Sequence, residues 1–298
     1  ISSSVLAAAL LVCGLAFTSS CSKENTPQVL FEATFYLGVN PNDAACIYKS
    51  GELLYQLGPD SYISGLAVMP DGTVYACGQI QNRSESGEVV SETLAMWKDG
   101  QRISKDLGTE YGNHFNKMIS AGDKWLCSAT LFEAGVPHGI IIENGEVVFR
   151  SADNVKFLTM DIGASGDSYV VASEEGTLSL LRISASTREI TSTEVIAQSE
   201  EGYIWDACLY VGNSDIAVGL NKLNTTDFTT TAYCWVNGGL GLERVEGNSA
   251  INSITFFGGY LVLAGHHEKV TLAQDYAEIQ TTAVQRVNGY PQDFSYGC

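Results

Sequence analysis

Tyr62-Ile63-Ser64-Gly65-Leu66-Ala67-Val68-Met69-Pro70-Asp71-Gly72-Thr73-Val74-Tyr75-Ala76-Cys77-Gly78 is the stretch on which the fold turns. It holds an apolar run to Met69, a tight turn at Pro70-Asp71-Gly72, and a second apolar run from Val74 that closes on Gly78. Runs this short, with apolar residues alternating against small or polar ones, have the period of strands and not of helices. A polar stretch from Gln79 to Glu92 follows, then a third run, Thr93 to Trp97, and the turn Lys98-Asp99-Gly100.

The phrase recurs. Gly78, Ser128, Ser173, Gly219 and Gly265 form one column, separated by 50, 45, 46 and 46 residues on subtraction. Cys77, Cys127, Ala172, Val218 and Ala264 precede them, and Gly/Asn/Asp turns stand before each run. Ser50-Gly51, Asp99-Gly100, Asn144-Gly145, Asn237-Gly238 and Asn288-Gly289 make a second column of hairpin signals. The unit around 180–190 uses Ser184-Ala185-Ser186-Thr187 in their place. Each unit therefore reads as strand a, turn, strand b, loop, strand c, turn, strand d. Four strands in roughly 45 residues is the period of a propeller blade. Full units begin near Ile63, His114, Phe157, Tyr203 and Ile251. A partial first unit offers b from Val29 to Leu37, c from Ala45 to Lys49, then d, with no recognisable a. The expectation is an all-β chain: one β-propeller of six four-stranded blades over 29–298. The final segment either completes its own blade or lends the first blade its missing strand.

Composition narrows the function. The chain of 298 residues carries a net charge of -18 and a pI near 4.4, against the basic face that a phosphate-backbone binder needs. Nucleic acid is excluded as a partner. The eight cysteines show no CxxC or Cys/His ligand spacing, so neither a metal nor another cofactor is expected. Cys77 and Cys127 share a column with Ala and Val and read as small core residues.

The N-terminus is a different material. Val5 to Phe17 is apolar, and Thr18-Ser19-Ser20-Cys21 leads into polar Ser22-Lys23-Glu24-Asn25. This junction resembles a bacterial lipoprotein signal, with Thr18 standing where that pattern prefers Leu. The resemblance implies a signal peptide over 1–20, lipidation of Cys21 and a tether over 21–28. A plain secretory signal cleaved near Ser20 is the alternative. The repeats themselves, Val74-Tyr75-Ala76-Cys77-Gly78, Tyr260 to Gly265, Trp97-Lys98-Asp99-Gly100 and Trp235-Val236-Asn237-Gly238, resemble those of repeat-built β-propeller lipoproteins of the Bacteroidota type. That family likeness implies the fold and a monomer lipid-anchored at the outer membrane, displayed at the cell surface. It carries over no catalytic residue.

Candidate sites follow from the blade order. The a–b and c–d turns share one rim and are tight. The b–c and d–a connections share the other, where Gln79 to Glu92, Thr130 to Pro137, Leu223 to Thr229 and His266 to Gln280 read as long loops, the usual home of binding. Asn116, Asp161, Asp206 and Asn252 recur near the start of strand a and are expected as a polar ring under that rim, with Trp205, Tyr203 and His114 nearby. Such a ring suits sugar hydroxyls. Its competing reading is structural, with short polar side chains bonding the neighbouring blade's backbone. Asp161 and Asp206 are also the candidate carboxylate pair of a glycosidase, which needs them about 5–9.5 Å apart. The run Ser120 to Trp125 is loosely similar to a sialidase Asp-box, but its spacing departs from that motif and a hairpin explains it. The favoured function is a binding module for glycan or protein at the long-loop rim; a carbohydrate-active hydrolase or lyase is the alternative.

Overall fold

The computed structural model describes residues 34, 36–41, 44–103, 107, 110, 112–198, 202–237, 243–244, 249–257, 260–272, 277–287 and 290–292. The proposed signal, Cys21, the tether and the stretch 29–33 lie outside them, as do Asn288-Gly289 and Gly258-Gly259. The described residues form six antiparallel sheets in chain order. The first has three strands, β1 (Tyr36–Val39), β2 (Ala44–Lys49) and β3 (Glu52–Pro59). Blade two holds β4 (Ser61–Val68), β5 (Val74–Arg83), β6 (Val89–Lys98) and β7 (Gln101–Arg102). Blade three holds β8 (His114–Ala121), β9 (Lys124–Glu133), β10 (Val136–Glu143) and β11 (Glu146–Arg150). Blade four holds β12 (Val155–Ile162), β13 (Ser168–Glu174), β14 (Thr177–Ile183) and β15 (Ile190–Gln198). Blade five holds β16 (Tyr203–Val211), β17 (Ile216–Asn224), β18 (Thr230–Val236) and β19 (Glu243–Arg244). Blade six holds β20 (Ser249–Phe257), β21 (Tyr260–Leu272), β22 (Ala277–Val287) and β23 (Tyr290–Gln292). The chain is a β-propeller. β23 pairs with β22, so that segment completes its own blade.

The apolar runs are nearly continuous because each b strand is buried on both faces. Ala76 faces the core shared with blade one, and its neighbour Cys77 faces the core shared with blade three. In β9 and β13 the alternation repeats, with Cys127 against Leu126 and Val171 against Val170. One apolar layer therefore fills each of the five interfaces between successive blades. Phe157 and Met160 are fully buried between blades three and four, and the Phe157 ring lies where a side chain on Gly139 would have to be. Three residues before the small-residue column, Trp125 is buried beside Tyr75 with ring centroids 5.1 Å apart. Val262, at the same place in blade six, is half-buried.

The second sequence column has a specific cause. Asp99 and Asn144 open two-residue hairpins at φ 48° and 50°, each followed by a glycine at positive φ, the geometry of a type I′ turn. Their side chains reach past the hairpin and accept the first amides of strand b. Val74 N–H donates to Asp99 Oδ1 at 2.9 Å and Trp125 N–H to Asn144 Oδ1 at 3.1 Å, and Ile216 N–H donates to Asn237 Oδ1 at 2.6 Å. In blade four the direction reverses: Asp167, ahead of strand b, accepts from Ala185 N–H in the 184–189 connection at 3.0 Å. The missing Asn-Gly pair is thereby replaced.

The long loops are not observed. β5 runs to Arg83 and β6 starts at Val89, so the connection there is only 84–88. Ala134-Gly135 and Glu175-Gly176 are two-residue turns with both φ positive, and 225–229 joins β17 to β18. The stretch 266–280 is strand except at 273–276, which lies outside the described residues. This rim consists of extended b–c ribbons. The polar residues read as loop were the alternating outer faces of strands that continue beyond the packed part of the blade.

Candidate functional site

The four residues expected in one ring do not share one level. Asp206 pairs with Asn221 in β17. The Asn221 amide accepts from Ile251 N–H at 2.7 Å and donates to Ile251 C=O at 2.9 Å, which brings Asn252 level with Asp206. Likewise Asn116 Nδ2 donates weakly, at 3.4 Å, to Thr130 Oγ1, and that hydroxyl holds Phe157 N–H and C=O at 3.1 Å each. Asn116, Asp206 and Asn252 thus stand beside the same interblade latch level, and Ser64 and Leu158 occupy the matching places in blades two and four. Asn116, Asn252, Ser64 and Leu158 each sit where strand a bulges against strand b. Asp206 and Asn252 are exposed and carry no hydrogen bond among the described residues.

Asp161 belongs elsewhere. It is the penultimate residue of β12, so it lies at the tight-turn end of its strand. Its Oδ1 accepts from Ile162 N–H and its Oδ2 from Val211 N–H, both at 2.8 Å. Burial raises its pKa, and the two amides and Lys117 oppose that shift. Val211 is five residues beyond Asp206 on β16, about 16 Å along a strand. That separation breaks the proposed glycosidase pair. Asp161 performs the competing, structural role: it ties blade four to blade five.

The aromatic candidates are also engaged. Trp205 packs against the core between blades four and five, and Tyr203, two residues earlier on β16, lies on the same face of that strand. The Lys222 ammonium lies 3.9 Å from the Tyr203 ring centroid and 5.8 Å from that of Trp205, and Tyr233 approaches Trp205 at 6.0 Å. Cation–π contact of this kind occupies ring faces that a sugar would stack on. Among the described residues the buried Trp205 Nε1 has no hydrogen-bond partner. His114 lies in blade three, where its Nδ1 is 2.6 Å from Gly112 O. The expected cluster is therefore split between two blades.

What reading the sequence missed is the latch system. Asn40 accepts from Ile63 N–H at 2.7 Å and donates to Ile63 C=O at 2.9 Å, repeating the Asn221 arrangement between blades one and two. Thr130 and Asn221 each stand two residues after the small-residue column. That spacing was the available signal, masked by Ile80 and Glu175 at the same place in blades two and four. A second missed feature is a cavity of about 750 Å³ at the tight-turn end of the channel, against the inner strands of blades two, three and four.

No protein-family model matches the chain, and no curated protein matches it in sequence. Among solved structures it is similar to the Trypanosoma rangeli sialidase with 2,3-difluorosialic acid as a covalent intermediate, at TM-score 0.51 and 8% identity over 82% of this chain and 49% of that one. The same sialidase with sialic acid gives TM-score 0.50 and 8% identity over 82% and 50%. The Dos1 propeller gives TM-score 0.48 and 14% identity over 84% and 68%. The chain spans about half the length of the sialidase. At such identities these likenesses concern the fold alone, and the fold they share with this chain is the β-propeller.

Proposed function

We propose that this chain is an exported, lipid-anchored propeller at the outer-membrane surface that binds a protein through its ribbon rim. The observation that carries the reading is the rim itself. b–c ribbons extend beyond the packed blades, and Val89, Val90, Ile204 and Phe228 expose large apolar side chains along it. Apolar anchors on a rigid scaffold suit a protein interface, whose energy concentrates in a few such contacts. Glycan is the second reading, supported by the exposed Asp206 and Asn252 and the half-buried Asn116 at one level of the channel. An aromatic shelf for a sugar would strengthen it, but the Tyr203 and Trp205 rings face Lys222. The hydrolase alternative loses its best carboxylate pair to the separation of Asp161 from Asp206.

One variant set tests the reading. Purified protein is applied to arrays of surface proteins and of glycans, alongside V90E/F228E and D206A. Protein binding abolished by V90E/F228E and retained by D206A is the expected result. Glycan binding lost in D206A alone would overturn it in favour of the second reading. For the anchor, Cys21→Ser should release the protein from the membrane fraction; unchanged fractionation would remove lipidation from the proposal.

A further inference from the structure

The cavity at the tight-turn mouth is independent of the ribbon rim and holds a cation that no salt bridge among the described residues engages. It is lined by Leu66 and Val68 of β4, Lys117, Ile119 and Ser120 of β8, and Asp161 of β12. Its volume of about 750 Å³ lies within the usual range of small-molecule sites. Lys117 is exposed on the inner strand and makes no salt bridge among the described residues. That is unexpected in a chain with 34 acidic residues against 16 basic ones. The carboxylate beside it in the cavity is Asp161, and both Asp161 oxygens are held by the amides of Ile162 and Val211. One residue past the bulge, where blade three has Lys117, the inner strands of blades two, four and six place Gly65, Thr159 and Ser253. Lys156 lies over the Phe132 ring, which leaves Lys117 as the cation of this cavity.

The influence of Lys117 reaches across the channel. Its charge lowers the pKa of Cys208 in blade five as well as that of Asp161 in blade four, although burial dominates both groups and pushes Cys208 up to about 12. An ammonium in a concave site focuses its field on the space in front of it. A carboxylate placed there gains a charge-assisted hydrogen bond. Asp161, Asp206 and the net charge of -18 oppose a second negative charge on the ligand.

We propose that this cavity binds a small organic monocarboxylate, with Lys117 as its counter-ion. The probe is glucuronate, titrated calorimetrically into the whole domain, with glucose as the uncharged control and citrate as the polyanionic one. Saturable glucuronate binding is expected, with glucose and citrate weaker. K117M should weaken glucuronate by about tenfold or more, the loss of one charged hydrogen bond, and K117R should retain it. V90E/F228E should bind glucuronate as the wild type does, which separates this site from the ribbon rim. K117Q serves the same purpose should K117M not fold, as judged by circular dichroism. The absence of saturable glucuronate binding would overturn the proposal. So would equal binding of glucose, tighter binding of citrate, or a folded K117M or K117Q that binds as tightly as wild type.

Discussion

The two rims of this propeller are built from the same four strands and differ in what constrains them. On the tight-turn rim Asp99, Asn144 and Asn237 each accept a strand-b amide, and Asp99 and Asn144 also adopt positive φ. Few residues satisfy both demands, so the rim repeats in sequence. On the ribbon rim the connections differ from blade to blade: a two-residue turn at Ala134-Gly135, another at Glu175-Gly176, and five-residue connections at 84–88 and 225–229. Nothing in the backbone requires them to agree. Repetition thus marks where the backbone is constrained, and divergence marks where a connection is free to vary.

The comparison can be broken most directly at Trp125, two residues from the tight turn. Trp125→Ala should destabilise by about 3–5 kcal/mol, the range for truncating a large buried aromatic. Denaturant unfolding with an unchanged midpoint would show that the rim does not rest on that packing.

Next come the latches, which lie between the rims. Asn221→Leu leaves Ile251 N–H without its side-chain partner and its C=O with only the weak Cys208 Sγ contact at 3.7 Å, and should cost about 2–3 kcal/mol. Hydrogen exchange at the Ile251 amide should accelerate with it. Protection equal to wild type would mean that strand pairing alone holds blade six in place.

A smaller effect separates the two demands on Asn144. Asn144→Ala loses the cap on Trp125 and keeps a Cβ at φ 50° without the polar side chain that lets Asn tolerate that region, for about 1–2 kcal/mol. Asn144→Gly loses the cap but also removes the Cβ from a positive-φ position, and should be milder. If the two variants melt together, backbone strain contributes nothing there.

The pH dependence has a definite sign at Glu143. Lys124 and then Arg188 hold its pKa below the ordinary glutamate value. Its stabilising contribution is therefore present above the unfolded-state value of about 4.3 and is lost as pH falls through the folded one. Glu143→Gln should flatten that part of the stability profile, and an unaltered acid limb would place the effect on other carboxylates. At the ribbon rim, finally, Val90→Glu should change stability by no more than about 0.5 kcal/mol, since Val90 is 65% exposed. A larger loss would mean that the ribbon is part of the core.

Most of the architecture was legible because its signals are local. Strand alternation, the Gly/Asn/Asp turns and the blade period depend on neighbours within a few residues, and the full units start within about two residues of the expected places, a normal uncertainty at element ends. The ribbons were misread as loops because a strand lying outside the packed core loses its apolar alternation. Asp161 was misplaced by three residues relative to Leu158, because blade four puts an apolar side chain where three other blades put Asn or Asp.

The amino-acid sequence by itself determined the all-β class, the four-stranded repeat, the hairpin positions and the burial of Trp125, Cys77 and Cys127. Each of these follows from backbone conformational preference or from the two-residue period of a strand. Only the tertiary structure decided that Asn40, Thr130 and Asn221 clasp the next blade, that Asp161 is a tie to Val211 and not a partner of Asp206, and that Lys117 is left facing a cavity. Those outcomes depend on which side chains meet across blades 23 to 50 residues apart. No local period encodes that distance, because it is set by how the twisted sheets pack side by side.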